Sequence, residues 1–207
     1  LLSVYPFTPF QNSWLYTAMA CAPAGAQGIR DALDILIKKG RLDPGEDLKV
    51  IVLTGDGVAY DIGLASTSGA IHRHLDFYYI CSDNEAYGNT GFQSSGATPF
   101  ASKTGTTLIG KISPTGTILA KKDLFEIWRS HISPYLSTIS PGHPVDLINK
   151  FKKAEQYKGP KLFINLSPCP PGWTADPAHS ARLAKLAVDT GIWALKESLY
   201  GDVRHTV

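Results

Sequence analysis

The sequence contains little of what marks a nucleic-acid binder, a membrane protein or a disulfide scaffold. Across 207 residues, 20 Lys and Arg against 18 Asp and Glu leave a formal net charge of +2. The basic residues are scattered along the chain, which argues against a nucleic-acid surface. The short pairs Lys121-Lys122 and Lys152-Lys153 read as solvated faces. No run approaches the roughly 18 consecutive apolar residues of a membrane span, and the opening residues lack the basic segment of a secretory signal. The three cysteines, Cys21, Cys81 and Cys169, cannot all pair. They show neither a Cys-x-x-Cys clip nor zinc-ligand spacing, which suits a reducing, cytoplasmic compartment. Internal repeats, linkers, a Ser-His-Asp order and a nucleophile elbow are also absent. His72 and His74 stand two residues apart, the wrong interval for sharing a helical face, and read as surface.

What is present is an ordinary hydrophobic fraction of 43%, enough for one domain with a real core. Small and apolar residues recur at helical spacing over 17–39, with Ile29, Leu33 and Leu36 on one stripe, Gly40 at the end and Pro23 as an internal break. The turn Asp43-Pro44-Gly45 leads into a strand over 49–53, whose continuous β-branched character predicts a buried parallel strand. Asp61 is placed to cap a helix over 62–74, and the next strand covers 77–82. Residues 85–116 are rich in Gly, Ser and Thr, and compact domains rarely leave such a length as plain loop; the segment is either disordered or wraps a ligand. Downstream, the pattern predicts a helix over 123–132, a short strand over 135–138, a helix over 145–157 and a strand over 161–166. A last helix follows, capped by Asp176, carrying Pro177 in its first turn and closed by Gly191. Strands alternating with helices predict an α/β three-layer sandwich with a mainly parallel sheet.

Two polar clusters interrupt this pattern at strand ends. Gly55-Asp56-Gly57 follows Val50-Ile51-Val52-Leu53, and Asp83-Asn84-Glu85 closes the second strand. A strand ending in Gly-Asp-Gly lets the backbone turn sharply and approach a phosphate, while the carboxylate projects toward a hard cation such as Mg²⁺. The interval to Asn84 suits one helix and one parallel strand, so both loops are expected at the same carboxyl edge of the sheet. A turn without a ligand is the competing account for each. Gly105-Thr106-Thr107-Leu108-Ile109-Gly110-Lys111 has the outline of a nucleotide P-loop and fails as one. Ile112 offers no hydroxyl, no strand precedes it, and Ser113-Pro114 breaks the helix that should follow.

The text from Gly55 to Gly63, and from Tyr79 through Asp83-Asn84-Glu85-Ala86-Tyr87-Gly88-Asn89 to Pro99, resembles the thiamine-diphosphate-binding beta subunits of pyruvate and other 2-oxoacid:ferredoxin oxidoreductases. The likeness extends, less densely, to Tyr5-Pro6-Phe7-Thr8 and to Ser167-Pro168-Cys169-Pro170-Pro171-Gly172-Trp173. The resemblance implies a thiamine-diphosphate-binding fold in which Mg²⁺ takes the Asp56 carboxylate, the Asn84 side-chain oxygen and the Ala86 carbonyl. Gly55, Gly57 and Val58 would offer backbone N–H groups to the diphosphate, with Glu85, Tyr87, Gly88 and Asn89 continuing the binding loop. Asn89 would face the thiazolium and the substrate, in the role of a catalytic residue, with an Asx-turn as the competing account. Cys169 would match the last of four ligands to a [4Fe–4S] cluster, while Cys21 and Cys81 read as core.

The same resemblance implies oxidative decarboxylation of a 2-oxoacid, most simply pyruvate, with coenzyme A as acyl acceptor and ferredoxin as electron acceptor. It implies partner subunits of the alpha, gamma and delta type, one of which would bring the glutamate that activates the aminopyrimidine. An oxalate oxidoreductase, a non-oxidative thiamine enzyme and a non-catalytic scaffold stay open. Residues 1–207 are expected to form a single cofactor-binding domain, lacking a Cys-rich segment upstream and a tail downstream.

Overall fold

A computed structural model of the chain describes residues 11–207; the Tyr5-Pro6-Phe7-Thr8 part of the resemblance lies outside the described residues. Helix α1 covers Ala22–Lys38, α2 Leu64–His72, α3 Leu124–Arg129, α4 Pro144–Ala154, α5 Pro170–Trp173 and α6 Ser180–Asp189. Strands β1 (Ile51–Gly55), β2 (Phe77–Asp83), β3 (Tyr135–Ile139), β4 (Pro160–Leu166), β5 (Lys196–Leu199) and β6 (Asp202–His205) form one sheet in the order β1-β2-β4-β3-β5-β6. The first four of these are parallel, and β5 and β6 add an antiparallel hairpin.

Alternate residues of the central strands feed two cores, as the two-residue period of a strand requires. Tyr79, Cys81, Leu162 and Ile164 pack with Ala26 of α1, Ile71 of α2, Trp128 of α3 and Ala184 of α6. Tyr78, Phe163 and Tyr135 point the other way and meet Ala154, Leu147 and Phe151 of α4, with the Phe151 and Phe163 rings stacked at 4.0 Å. The result is a three-layer α/β sandwich with unequal outer layers. Among the described residues only α4 covers the second face, so Ile51 and Leu53 of β1 are 51% and 37% exposed. The continuous apolar run of β1 therefore belongs to a sheet edge with alternating burial, where a strand buried on both faces was expected.

Three local expectations are revised and one holds. Pro23 sits in the first turn of α1, where its missing N–H costs nothing, so it starts the helix and does not break it. Asp61 caps nothing: the chain leaves Asp56 through a π-helical turn, Gly57–Ile62, and α2 starts after Gly63. Asp176 accepts from the Ala178 N–H and begins a short 3-10 turn ahead of α6. Gly40, at φ +63°, ends α1 as expected, with Gly40 N–H donating to Ile37 O and Arg41 N–H to Leu36 O. No helix among the described residues is long and apolar enough to cross a membrane.

Candidate functional site

The register of β1 on β2 sets Gly55 opposite Ser82, so the two strand-end turns leave the same edge of the sheet side by side. Asp56 opens the π-helical turn, and Gly57 and Val58 occupy its first residues, where backbone N–H groups have no intrahelical acceptor. Asp56 is 2% exposed and forms no ion pair among the described residues; its one side-chain partner is the Ser95 hydroxyl, which donates to Oδ2. Burial, above all, lifts its pKa to about 7, with Asp83 adding to the effect and the Ser95 hydrogen bond and Lys121 opposing it. A carboxyl buried at this cost, without a cation, is a ready ligand for one. A Cβ on Gly55 would meet nothing within 4 Å, so the backbone there borders open space.

At the end of β2, Asp83 is fully buried and accepts from Tyr60 OH (2.7 Å) and from the Glu85 N–H (3.0 Å). Glu85 holds a left-handed backbone, φ +68°, uncommon outside glycine. Asn84 Oδ1 accepts from the Ala86 N–H at 3.3 Å and keeps a free lone pair, while Trp173 Nε1 donates to Asn84 O at 3.2 Å. Tyr87 then ties the two turns together: its hydroxyl lies 3.1 Å from Gly57 O and 3.2 Å from Asp61 Oδ2. The ring lies where a Gly57 Cβ would stand, at 2.1 Å, so Gly57 is required by Tyr87 whatever binds there. Asn89 is exposed beyond this joint.

Residues 85–116 fold back over both turns. Besides the Ser95 contact to Asp56, Gly96 N–H donates to Asp61 Oδ2 (2.8 Å) and Thr98 Oγ1 to Glu85 O (2.6 Å). Of the pair expected on a solvated face, Lys121 is drawn inward, while Lys122 stays exposed along its side chain and still reaches the site with its ammonium. Lys121 Nζ pairs with Asp83 Oδ2 at 2.8 Å and Glu85 Oε1 at 3.3 Å, and Lys122 Nζ donates to Tyr60 O at 2.9 Å and pairs with Asp61. Burial works against the Lys121 charge, yet Asp83 and then Glu85 outweigh it and hold the ammonium above its usual range. Burial likewise raises Glu85, which borders a cavity of about 460 Å³ walled by Phe92, Trp173, Leu183 and Leu186. In the second pair, Lys153 also turns inward, to Glu197 at 2.7 Å.

The three cysteines have separate fates. Cys81 is core, and burial pushes its thiol well up. Cys21, expected in the core, is exposed at the start of α1. Cys169 is half-buried, its Sγ 3.7 Å from where a Gly88 Cβ would lie, beside the Asn84 side chain. Among the described residues no three His, Cys, Asp or Glu side chains gather as a metal site, so a four-thiolate cluster does not fit within them. A Mg²⁺ site does fit, because that ion commonly takes one or two carboxylates and completes its shell with ligand phosphates and other oxygens.

The sequence-predicted residues Asp56, Gly57, Val58, Asn84, Ala86 and Tyr87 thus sit on two adjacent turns, with Gly55, Glu85, Gly88 and Asn89 next to them. Sequence reading missed Ser95, Asp61, Asp83, Lys121 and Lys122 as members of the site. Only Asp83 carried a local signal, its place in Asp-Asn-Glu at a strand end.

Residues 1–164 match the family described as thiamine pyrophosphate enzyme, C-terminal TPP binding domain. Pyruvate synthase subunit PorB of Methanosarcina barkeri (strain Fusaro / DSM 804) is 42% identical over 199 residues, 96% of this chain and 65% of that protein. Ketoisovalerate oxidoreductase subunit VorB of Pyrococcus horikoshii is 39% identical over 194 residues, 93% of this chain and 61% of that protein. The chain therefore spans a little under two thirds of the length of these relatives. A solved 2-oxoglutarate:ferredoxin oxidoreductase from Magnetococcus marinus, with 2-oxoglutarate, coenzyme A and succinyl-CoA bound, shares the fold at 22% identity. The TM-score is 0.54, covering 73% of this chain and 46% of that one.

Proposed function

The chain belongs to the thiamine pyrophosphate enzyme family through its TPP-binding domain, of the kind carried by 2-oxoacid:ferredoxin oxidoreductase subunits, and on that premise we propose that it anchors the diphosphate half of thiamine diphosphate in an enzyme that oxidatively decarboxylates a 2-oxoacid. The observation that carries this reading is the Asp56 carboxyl: buried, without an ion pair among the described residues, and carried on a turn that Tyr87 joins to the Asn84 turn one strand away.

In this reading Asp56, Asn84 Oδ1 and Ala86 O hold Mg²⁺, and the N–H groups of Gly55, Gly57 and Val58 receive the diphosphate. Glu85, Tyr87 and Gly88 shape the loop, and Asn89, exposed beyond it, directs its amide at the substrate carbonyl oxygen. Thiamine diphosphate, when bound, supplies the nucleophilic carbon and the electron sink that decarboxylation requires. Cys169 contributes one thiolate to a [4Fe–4S] cluster completed by ligands outside the described residues. Residues 1–207 act as one cofactor-binding domain that needs subunits of the alpha, gamma and delta type. Pyruvate is the proposed substrate, coenzyme A the acyl acceptor, ferredoxin the electron acceptor and the cytoplasm the location.

The test is reduction of a viologen dye by the purified complex against pyruvate, 2-oxobutyrate, 2-oxoglutarate and oxalate, with and without thiamine diphosphate. Activity with pyruvate that vanishes on cofactor removal supports the reading, and another preferred 2-oxoacid corrects the substrate alone. If the wild-type complex and an Asp56→Ala complex bind thiamine diphosphate with Mg²⁺ equally weakly, the site assignment is wrong.

A further inference from the structure

Lys121 and Lys122 are consecutive residues whose side chains diverge to the two halves of the site. Lys121 reaches the turn after β2, through Asp83 Oδ2 at 2.8 Å and Glu85 Oε1 at 3.3 Å. Lys122 reaches the turn after β1, through Tyr60 O at 2.9 Å and the Asp61 carboxylate. The backbone between them is itself fastened, Lys122 N–H donating to Gly96 O at 2.8 Å next to Ser95, the partner of Asp56. Lys121 is also seated between aromatic rings, 5.1 Å from Trp193 and 5.7 Å from Tyr60, which fixes the direction of its side chain.

The contacts fall on residues adjoining the proposed ligands, not on the ligands themselves. Asp83, whose carboxylate Lys121 holds, precedes Asn84 and accepts the Glu85 N–H that supports the left-handed backbone leading to Ala86. Asp61 and Tyr60 close the π-helical turn that Asp56 opens. Nothing in the surface chemistry of a Lys-Lys pair requires this, since solvated lysines gain little from exposed partners. Here Asp83 is fully buried, so removing Lys121 leaves a buried carboxylate short of its only cation among the described residues.

We propose that Lys121 and Lys122 are positioning residues, a two-pronged bracket that holds the Asp56 turn and the Asn84 turn at the separation needed for one cation and one diphosphate to engage both. This rests on the reading of the site as a Mg²⁺ and diphosphate site. Each prong fixes one half of a single ligand site, so loss of either prong abolishes the simultaneous grip.

The experiment measures the Kd of thiamine diphosphate with Mg²⁺ by calorimetry on the purified complex carrying Lys121→Met, Lys122→Met, both changes, or the corresponding Arg substitutions. Each Met variant is expected to weaken binding about 10- to 100-fold, the range for residues that orient ligands without touching the ion. The double variant should lose much less than the product of the two, because one broken prong already releases the grip. Arg variants should recover most of the affinity. Lys153→Met, which breaks the comparably buried pair with Glu197, serves as control and should leave Kd within about twofold while lowering thermal stability. Wild-type affinity in both Met variants overturns the bracket, as does a double loss equal to the product. Should Lys121→Met not assemble, Lys122→Met alone decides, since its side chain is 47% exposed. A wild-type complex that does not bind thiamine diphosphate refutes the underlying reading instead.

Discussion

Asp56 shows what a single buried carboxyl costs and what it is kept for. In the unfolded chain it ionises near 3.8, and in the fold near 7. Between these values the fold retains a proton that the unfolded chain has released, so its contribution to stability is present below about pH 3.8 and is lost as pH rises to about 7. Asp56→Asn removes that dependence and can still accept from Ser95. In cofactor-free thermal or denaturant unfolding, the variant should match the parent near pH 4 and exceed it by roughly 2–4 kcal/mol above pH 7. Adding thiamine diphosphate and Mg²⁺ at pH 8 should reverse the order, stabilising the parent alone. A parent that is already the more stable protein at pH 8 without ligand would sink this account.

At the scale of elements, packing distances decide where the chain tolerates change. The turn after β3 runs against α6, and a Cβ on Gly142 would fall 2.3 Å from Lys185 N and 2.5 Å from its Cα. Ser140 fastens the same joint, accepting from Gly142 N–H and donating to Ala184 O. A helix backbone cannot swing aside as a side chain can, so Gly142→Ala should destabilise the protein by about 1–3 kcal/mol in denaturant unfolding, with cofactor affinity unchanged. Elements also differ in how plainly the sequence announces them. The unit from β1 through α2 to β2 is legible because two apolar runs end at Gly and Asp turn signals separated by one helix length. The hairpin of β5 and β6 is not, because Lys196 to Leu199 and Asp202 to His205 carry no apolar alternation. Their inward charge, Glu197, is satisfied by Tyr135 of β3 and Lys153 of α4, 62 and 44 residues away, and by Arg204 across the hairpin. The inward turn of Lys121 is hidden for the same reason: its partners Asp83 and Glu85 lie 38 and 36 residues away, and local pattern carries no record of them. Asp61 shows the complementary failure, since its helix-cap signature is real but its carboxylate is claimed by Gly96, Tyr87 and Lys122.

Across the whole molecule, the site is assembled from three segments far apart in the chain: the turn after β1, residues 83–98, and the Lys121-Lys122 stretch. Hydrogen bonds and ion pairs join each of them to the other two, so a ligand that orders one orders all three. Hydrogen exchange of the complex should show thiamine diphosphate with Mg²⁺ slowing amides in 56–63, 84–98 and 120–123 together. The hairpin of β5 and β6, at the other edge of the sheet, should exchange at an unchanged rate. Protection confined to 56–63 would mean that the three segments are not one unit.

Strand β1 ends the sheet among the described residues, with its outer backbone groups unpaired and Ile51 and Leu53 open on its uncovered face. Such an edge is a template for a further strand from any chain that meets it, and its apolar residues reward the meeting. Made alone, the chain would carry a self-association hazard at the very strand that delivers Asp56, so co-production with the proposed partner subunits should raise its yield of unaggregated protein whether or not they complete an active site.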